Sequence, residues 1–110
     1  MYGPFVFNDK TIDSTITAKS PGVYLLGYTA NGIFYVQRTG RSDVNLNARL
    51  KSAEYSGQYR EFKTRYCPTD VQAFHDECAL WHAYGGSNNP YHPARPAGKN
   101  LHCNHCNIFN

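Results

Sequence analysis

The hydrophobic and polar positions after residue 20 follow a pattern that is typical of a β-hairpin. Residues 20–22 are Ser, Pro and Gly, which interrupt any preceding element. Residues 23–28 and 33–37 are rich in the β-branched and aromatic side chains that favour strands. Asn31 and Gly32 lie between them, and this dipeptide tolerates positive φ at both central positions of a type I′ turn. The pattern predicts two antiparallel strands joined by a two-residue loop.

The two-residue loop also predicts which side chains face one another. Tyr28 would lie opposite Tyr35, and Tyr24 opposite Thr39. Because side chains alternate between the two faces along a strand, Tyr24, Tyr28 and Tyr35 would project from the same side of the sheet. Such a group of phenols forms either a packed aromatic ladder or a functional surface.

A first helix is predicted after the hairpin by apolar residues at helical spacing. These apolar residues are Leu46, Leu50 and Ala53. Ser42 or Asp43 can cap the N-terminus of this helix. Arg49 falls at the edge of the apolar stripe, which turns a cation toward the sheet. An arginine can also lie there simply because its stem packs over apolar surface.

A third strand and a second helix are predicted further along the chain. Residues 59–67 carry aromatic side chains among basic ones and predict a basic strand. Thr69, with Gln72 three residues later, predicts the start of a helix that Gly85-Gly86 ends. Its apolar stripe consists of Val71, Phe74, Cys78 and Trp81. Glu77 lies within that stripe, where an ionised carboxylate is costly to bury unless it is paired or opens onto a cleft.

These elements predict a small α/β (α+β) domain with a central, mainly antiparallel three-stranded sheet flanked by helices. The chain has no internal repeat and no long linker, so residues 1–110 are expected to form one domain. Within it, residues 1–20 are interpreted as a polar lead-in and residues 20–90 as the core. Residues 91–110 are rich in Cys and His and are interpreted as a zinc-binding tail.

Composition excludes several classes of protein. With 41% hydrophobic and 17% charged residues, the chain is not of the intrinsically disordered type. No apolar run is long enough to span a membrane, and the first residues show no basic segment followed by a long apolar stretch, so we expect no secretory signal. We therefore expect a reducing, cytoplasmic location, where four Cys and five His indicate metal binding more than disulfides.

The net charge of +3 is modest, but the basic residues are concentrated in one segment. Seven of the eleven Lys and Arg residues lie between Arg38 and Arg65, interleaved with tyrosines. This pattern favours a polyanionic partner, although an ordinary solvated basic face would give it too. Beside Arg49, the candidate nucleic-acid contacts are Arg38, Arg41, Lys51, Arg60, Lys63 and Arg65.

The hairpin and the residues that follow it carry a known signature. Gly22-Val23-Tyr24, followed after ten residues by Tyr35-Val36, resembles the two tripeptides of the GIY-YIG nuclease superfamily. That family also has an Arg on the next helix and a Glu on a later helix, which Arg49 and Glu77 resemble. The family has an Asn shortly beyond the Glu, and Asn89 of this chain resembles it. The resemblance covers roughly residues 20–90.

The second tripeptide departs from the signature. It should end in Gly, but Tyr35-Val36 is followed by Gln37, and the nearest glycine is Gly40. We interpret residues 37–39 as an insertion that bulges or lengthens the strand. Asn88 also competes with Asn89 for the last position of the signature.

The resemblance implies a metal-dependent endonuclease that hydrolyses phosphodiester bonds in DNA, with RNA left open. Glu77 would be the Mg²⁺ ligand, because hard divalent ions prefer carboxylate oxygens. Arg49 would bind the scissile phosphate with its guanidinium fork. By resemblance, Tyr24 would be the general base, and Tyr35 would position the water or the phosphate.

Supporting groups complete this predicted site. Asn89 would orient Glu77 by the same resemblance. Arg38 or Arg41 could supply a cation that lowers the pKa of Tyr24, since a free phenol titrates near pH 10. So small a domain offers little surface for reading bases, so strong sequence specificity would need a second copy or a partner subunit.

A second metal site is predicted in the tail. Cys103 and Cys106 form a Cys-x₂-Cys pair, which needs two further ligands to hold zinc. Cys78 and His82 are four residues apart on the second predicted helix and share a face. Together they predict a structural Zn²⁺ site. Other residues could substitute, namely Cys67 for Cys78, and His92, His102 or His105 for His82.

Two other functions are compatible with the same residues. One is a catalytically silent nucleic-acid-binding module with structural zinc. The other is a zinc-stabilised domain for protein interaction that never touches nucleic acid. Cleavage of DNA and salt-sensitive binding to DNA separate the three.

Overall fold

The structure is a computed structural model that describes residues 1–84 and 90–109. Its centre is one antiparallel sheet of four strands in the order β1-β4-β2-β3. The strands are β1 (Tyr2–Val6), β2 (Gly22–Ala30), β3 (Ile33–Ser42) and β4 (Glu61–Tyr66). The predicted α+β class and antiparallel sheet are confirmed, but the sheet has four strands and not three.

The fourth strand comes from the segment interpreted as a lead-in. β1 pairs with β4, and residues 9–15 form the helix α1 (Asp9–Thr15). The Asn8 side chain accepts a hydrogen bond from the backbone N–H of Thr11 and so caps this helix. Phe5 and Phe7 pack against Phe62 of β4 with ring centroids 5.5 and 5.9 Å apart. The interpretation as a lead-in was wrong because these two aromatic side chains tie the segment to the core.

The hairpin has the predicted turn. Asn31 and Gly32 have φ angles of 53° and 77°, and Tyr28 lies opposite Tyr35. β3 also extends well beyond residue 37, as an inserted and lengthened strand would.

A β-bulge changes the register further along the hairpin. Leu26 lies opposite Arg38 and Gly27 opposite Val36, so Gln37 is an extra residue in β3. Consequently Tyr24 faces Gly40 rather than Thr39.

The helix after the hairpin is shorter than its apolar spacing predicts. α2 (Leu46–Leu50) is followed by a 3₁₀ turn, η1 (Ala53–Tyr55). The cap is Asn45, whose side chain accepts from the N–H of Ala48, and not Ser42 or Asp43. Because β3 continues to Ser42, the hydroxyl of Ser42 closes the preceding turn by accepting from the N–H of Asn45.

The last helix, α3 (Asp70–Tyr84), begins as predicted. The hydroxyl of Thr69 accepts a hydrogen bond from the N–H of Gln72 at 3.1 Å. The Gln72 side chain donates to Asp76 and does not return to the cap. The predicted helix end at Gly85-Gly86 lies outside the described residues.

The two faces of the sheet carry different helices. On one face Tyr24 packs in a cluster with Leu46 and Leu50, so α2 covers that face. On the other face Val23 packs with Ala73 of α3. Since β3 is an edge strand, side chains from α2 and from α3 can meet around it. Within the described residues, no helix is both long and apolar enough to cross a membrane.

Candidate active site

A polar cavity of about 220 Å³ lies beside β3 at the edge of the sheet. The residues that line it come from β2, β3, α2, η1 and α3, and from the turn after β3. They are Tyr24, Arg38, Thr39, Gly40, Arg41, Asp43, Arg49, Tyr55 and Glu77. The cavity thus brings together three predicted catalytic residues, Tyr24, Arg49 and Glu77, although α3 packs on the sheet face opposite to Tyr24.

Gly40 makes room for the Tyr24 ring. The two residues are paired across β2 and β3, and a Cβ at position 40 would overlap the ring and hydroxyl of Tyr24. Tyr24 is fully buried, and its hydroxyl forms a 2.5 Å hydrogen bond with the hydroxyl of Tyr55. A glycine is therefore required opposite this tyrosine, and Gly40 meets that requirement.

Tyr55 links Tyr24 to Arg49. Arg49 Nη2 donates to the Tyr55 hydroxyl at 3.1 Å, and the guanidinium lies 5.1 Å from the centroid of the Tyr55 ring. Arg49 Nη1 also pairs with Glu54. Tyr55 was missed from sequence because it lies in a 3₁₀ turn with no apolar periodicity, and its contact with Tyr24 spans 31 positions.

Glu77 is held by an arginine on the edge strand. Arg41 Nη1 donates to Glu77 Oε1 at 2.8 Å, while Arg41 Nε donates to Asp43 at 2.7 Å. The Glu77 side chain is only 10% exposed. Burial raises the pKa of the Glu77 carboxyl, and the charge of Arg41 partly offsets that rise. Among the described residues, Oε2 of Glu77 has no hydrogen bond.

The Tyr24 phenol is uncharged at neutral pH. Burial raises its pKa well above 10, and the neighbouring Tyr55 hydroxyl raises it further. The charge of Arg49 opposes this shift without reversing it. Tyr24 can therefore offer a neutral oxygen as hydrogen-bond acceptor, or its proton as donor.

Arg38 lines the cavity for which the sequence predicted Tyr35. Counting back two residues from Gly40 leads to Arg38 and not to Tyr35. The Arg38 guanidinium lies 5.0 Å from the centroid of the Tyr55 ring. Its Nε is buried and has no hydrogen-bond partner among the described residues.

Tyr35 lies outside the cavity, which differs from its predicted catalytic position. Its ring stacks on Tyr28 at a centroid distance of 5.4 Å and remains 42% exposed. Tyr28 is four residues from Tyr24 on β2, which corresponds to about 13 Å along a strand. The stacked pair of Tyr28 and Tyr35 therefore lies well away from Tyr24. The predicted Asn89 and its competitor Asn88 lie outside the described residues.

The other predicted nucleic-acid contacts lie away from the cavity. Lys51 pairs with Asp13 at 2.8 Å, and Arg65 pairs with Asp76 at 3.1 Å. Lys63 lies over the Phe34 ring, and Arg60 is exposed to solvent. Of the six predicted contacts, Arg38 and Arg41 line the cavity.

A second group of possible metal ligands joins α3 to the tail. The ligand atoms of His82, His92, Cys103 and Cys106 all lie within 4.8 Å of one another. Sγ of Cys103 is 3.5 Å from Nε2 of His82, and Sγ of Cys106 is 3.4 Å from Nε2 of His92. Tetrahedral zinc with Zn–S of about 2.3 Å and Zn–N of about 2.0 Å separates such atoms by about 3.5 Å. These two sulfur–nitrogen distances match that separation, so the four residues could hold a metal ion.

This ligand set differs from the predicted one at a single position. The cluster contains His92, whereas Cys78 packs in an apolar cluster with Phe74 and Cys103. Burial raises the pKa of the Cys78 thiol to about 12, which disfavours the thiolate that zinc binds. Burial also acts on Cys103, but the hydrogen bond from the His105 N–H and other contacts lower its pKa to about 6.

One solved structure matches this fold. It is the crystal structure of the N-terminal GIY-YIG endonuclease domain of UvrC from Thermotoga maritima, bound to its catalytic divalent cation, magnesium. The match has a TM-score of 0.52 and 22% sequence identity, and it covers 71% of this chain and 94% of that domain. No family model matches the sequence, and no curated protein matches it either. At this identity the likeness shows the fold.

Proposed function

Since the chain has the GIY-YIG fold, we propose that it is a metal-dependent endonuclease that hydrolyses phosphodiester bonds in DNA at the cavity beside β3. The observation that carries this proposal is the convergence of a buried carboxylate, two arginines and a phenol on one cavity. These groups are Glu77, Arg38, Arg49 and Tyr24. Together they provide a metal ligand, phosphate-binding cations and a hydroxyl beside the reacting atoms.

The donor set fits magnesium. Glu77 uses one carboxylate oxygen for Arg41, and its second oxygen has no hydrogen bond among the described residues. The cavity of about 220 Å³ holds several water molecules at about 30 Å³ each. Mg²⁺ commonly binds through one or two carboxylates and keeps several waters, so Glu77 would hold it here. When bound, the ion would act as a Lewis acid on the phosphoryl oxygens.

Arg49 and Arg38 would bind the scissile phosphate. Arg49 is fixed by Glu54 and by the Tyr55 hydroxyl, which presents its guanidinium at the cavity in one orientation. Arg38 brings a second guanidinium with a buried, unpartnered Nε. The Arg38 side chain is 27% exposed, and guanidinium groups bind phosphate in a bidentate manner.

Tyr24 would orient the attacking water. Its hydroxyl is held by Tyr55, and it is neutral because its pKa lies well above 10. A neutral phenol oxygen accepts a hydrogen bond from water and turns a water lone pair toward the phosphorus. As a general base, Tyr24 would require its pKa to fall after substrate and metal bind. Asn89, with Asn88 as the alternative, stays our candidate for orienting the Glu77 carboxylate.

The tail would carry a structural zinc. His82, His92, Cys103 and Cys106 supply two imidazoles and two thiolates, a closed set with no open position for catalysis. Such a site would fix residues 90–109 to α3, the helix that carries Glu77. None of the four cysteines forms a disulfide, which suits a reducing compartment such as the cytoplasm.

Arg38→Ala should weaken DNA binding and reduce its dependence on salt. Each phosphate contact contributes a slope of roughly −0.7 to −0.9 to a plot of log affinity against log salt concentration. Losing one contact should make the slope shallower by about that amount, as measured by fluorescence anisotropy at several salt concentrations. Lys10→Ala is the control, because Lys10 lies in α1 and not in the cavity. An unchanged slope in Arg38→Ala would contradict a phosphate contact.

Arg41→Gln should move the acid side of the pH–rate profile to higher pH. Glu77 must be ionised to bind a cation, and burial raises its folded-state pKa above 4.5. Activity should therefore fall as the pH drops through this raised pKa. Removing Arg41 removes the charge that lowers this pKa, so the loss of activity should begin at a higher pH. Arg95→Gln, outside the cavity, should leave the profile in place.

Nicking of supercoiled plasmid by the purified protein tests the proposed function. We expect Mg²⁺-dependent conversion to the open circular form, with no conversion when Mg²⁺ is omitted. Salt-sensitive binding without nicking would favour the silent nucleic-acid-binding module, in line with Arg38 lining the cavity for which Tyr35 was predicted. Neither binding nor nicking would favour the protein-interaction domain.

A further inference from the structure

A second depression lies on β2 and β3 beyond the cavity. It has a volume of about 240 Å³ and is lined by Tyr28, Gln37, Gln58 and Arg60. Tyr35 stacks on Tyr28 with an interplanar angle of 25°. The two rings form a nearly parallel pair at the hairpin, and neither serves the candidate active site.

One ring of this pair is exposed. Tyr35 is 42% exposed, and its partner Tyr28 is half-buried beneath it. A packed ladder would cover both rings, as the Tyr24 and Tyr55 rings are covered in the core. An exposed aromatic ring that a second ring holds in place can accept another flat ring at low entropic cost.

The polar groups around the pair are left for a ligand. The side chains of Gln37 and Arg60 have no hydrogen bond to another described residue. Gln58 uses its amide N–H to donate to the carbonyl of Glu54 at 2.6 Å, which leaves its amide oxygen as an acceptor. Gln37 is the extra residue of the β-bulge, and bulges commonly re-aim a side chain beside a functional site.

The depression also lies within reach of a strand bound in the cavity. Tyr35 and Arg38 are three residues apart on β3, which corresponds to about 10 Å along the strand. Successive nucleotides rise about 3.4 Å in a stacked strand. A strand whose phosphate lies at Arg38 would therefore bring a base about three nucleotides away to the tyrosine pair.

We propose that Tyr28, Tyr35, Gln37, Gln58 and Arg60 form a nucleobase-binding subsite, occupied by an unpaired base near the scissile phosphate. The base would stack against the Tyr28–Tyr35 pair, and the two glutamine amides that line the depression would bind its polar edge. Arg60 would neutralise the adjacent phosphate. This inference rests on the proposed function for its substrate, but it assigns Tyr35 to substrate binding and not to the reacting atoms.

The test compares the affinities for a short oligothymidylate and for its fully abasic counterpart. Stacking of a base on an aromatic side chain contributes enough to expect at least about a tenfold preference of the wild type for the base-bearing strand. Tyr35→Ala should bind both strands alike, whereas Tyr35→Phe should keep the preference. Ile33→Ala is the matched control, since Ile33 is a 55% exposed apolar residue on the same strand without a ring.

The outcomes separate this inference from the proposed function. Equal affinity of the wild type for both strands, or a preference that survives in Tyr35→Ala, would overturn the subsite even if the protein nicks plasmid. A preference lost in Tyr35→Ala but kept in Ile33→Ala would support the subsite even if no nicking occurs. Thermal melting of each variant distinguishes a lost ring from a lost fold.

Discussion

Glu77→Gln is expected to lower the rate of Mg²⁺-dependent nicking by at least about 100-fold while the protein stays folded. A neutral amide is a poor ligand for a hard cation, and the charge stabilisation supplied by a catalytic metal is worth several kcal/mol. Each ~1.4 kcal/mol lost from the transition state is about a tenfold loss of rate. Rates would be measured by gel densitometry of plasmid conversion.

The folded state should tolerate this substitution. Glutamine has nearly the shape of glutamate, and Arg41 keeps its 2.7 Å bond to Asp43 when the Glu77 charge is removed. Asp76→Asn is the matched control, because it makes the same carboxyl-to-amide change one position earlier on α3, outside the cavity. If Glu77→Gln nicks plasmid at the wild-type rate, or if Asp76→Asn loses as much nicking activity, Glu77 does not have the proposed role.

Cys103→Ser is expected to release one zinc ion per chain and to lower the melting temperature by roughly 10 °C or more. The proposed zinc joins His82 of α3 to three ligands in the tail, so its loss frees the whole segment. A structural zinc contributes its binding free energy to folding. A loss of about 2 kcal/mol shifts the melting temperature of a domain of this size by roughly 10 °C. Metal content and melting would be measured on the same samples.

Two further variants decide which residues hold the ion. His92→Ala should also lose zinc, whereas Cys78→Ala should keep one zinc per chain, because Cys78 packs with Phe74 in an apolar cluster. The reverse result, zinc lost in Cys78→Ala and kept in His92→Ala, would restore the ligand set expected from sequence. A wild-type protein that is folded and metal-free would contradict a zinc site of either kind.

The sequence predicted those parts of the fold that depend on a few neighbouring residues. The turn at Asn31 and Gly32 needs two positive φ angles, and few dipeptides provide them, so the hairpin was predictable. The Thr69 cap was predictable for the same kind of reason. β1 was not predictable, because a five-residue segment that contains Gly3 and Pro4 becomes a strand only when Phe5 and Phe7 pack against Phe62, far along the chain.

The candidate site was predicted only as far as the family resemblance reached. The resemblance pointed to Tyr24, Arg49 and Glu77, and these line one cavity. Tyr35 lies outside that cavity, because it pairs with Tyr28 near the turn, as the two-residue loop predicts, and the bulge at Gln37 comes after it. The spacing to Gly40 was the available signal, since counting back two positions from that glycine gives Arg38.

The zinc ligands show the same limit for a different reason. Helical spacing placed Cys78 and His82 on one face, but it could not say that the tail folds so that His92 reaches the cluster. The position of an irregular segment is decided by tertiary contacts, here by Phe109 and Leu101 packing near Cys78. Spacing in the sequence therefore predicted a set of candidate Cys and His ligands, but it could not predict which four of them lie together.

The most direct measurement is anomalous X-ray scattering from crystals grown with Mn²⁺ as a substitute for Mg²⁺. If Glu77 holds the catalytic cation, we expect a manganese peak in the cavity within coordination distance of Glu77, about 2.1 Å for a magnesium-like ion. The peak should be absent from crystals of Glu77→Gln. Manganese found elsewhere on the protein, or a cavity that stays free of metal at saturating Mn²⁺, would contradict it.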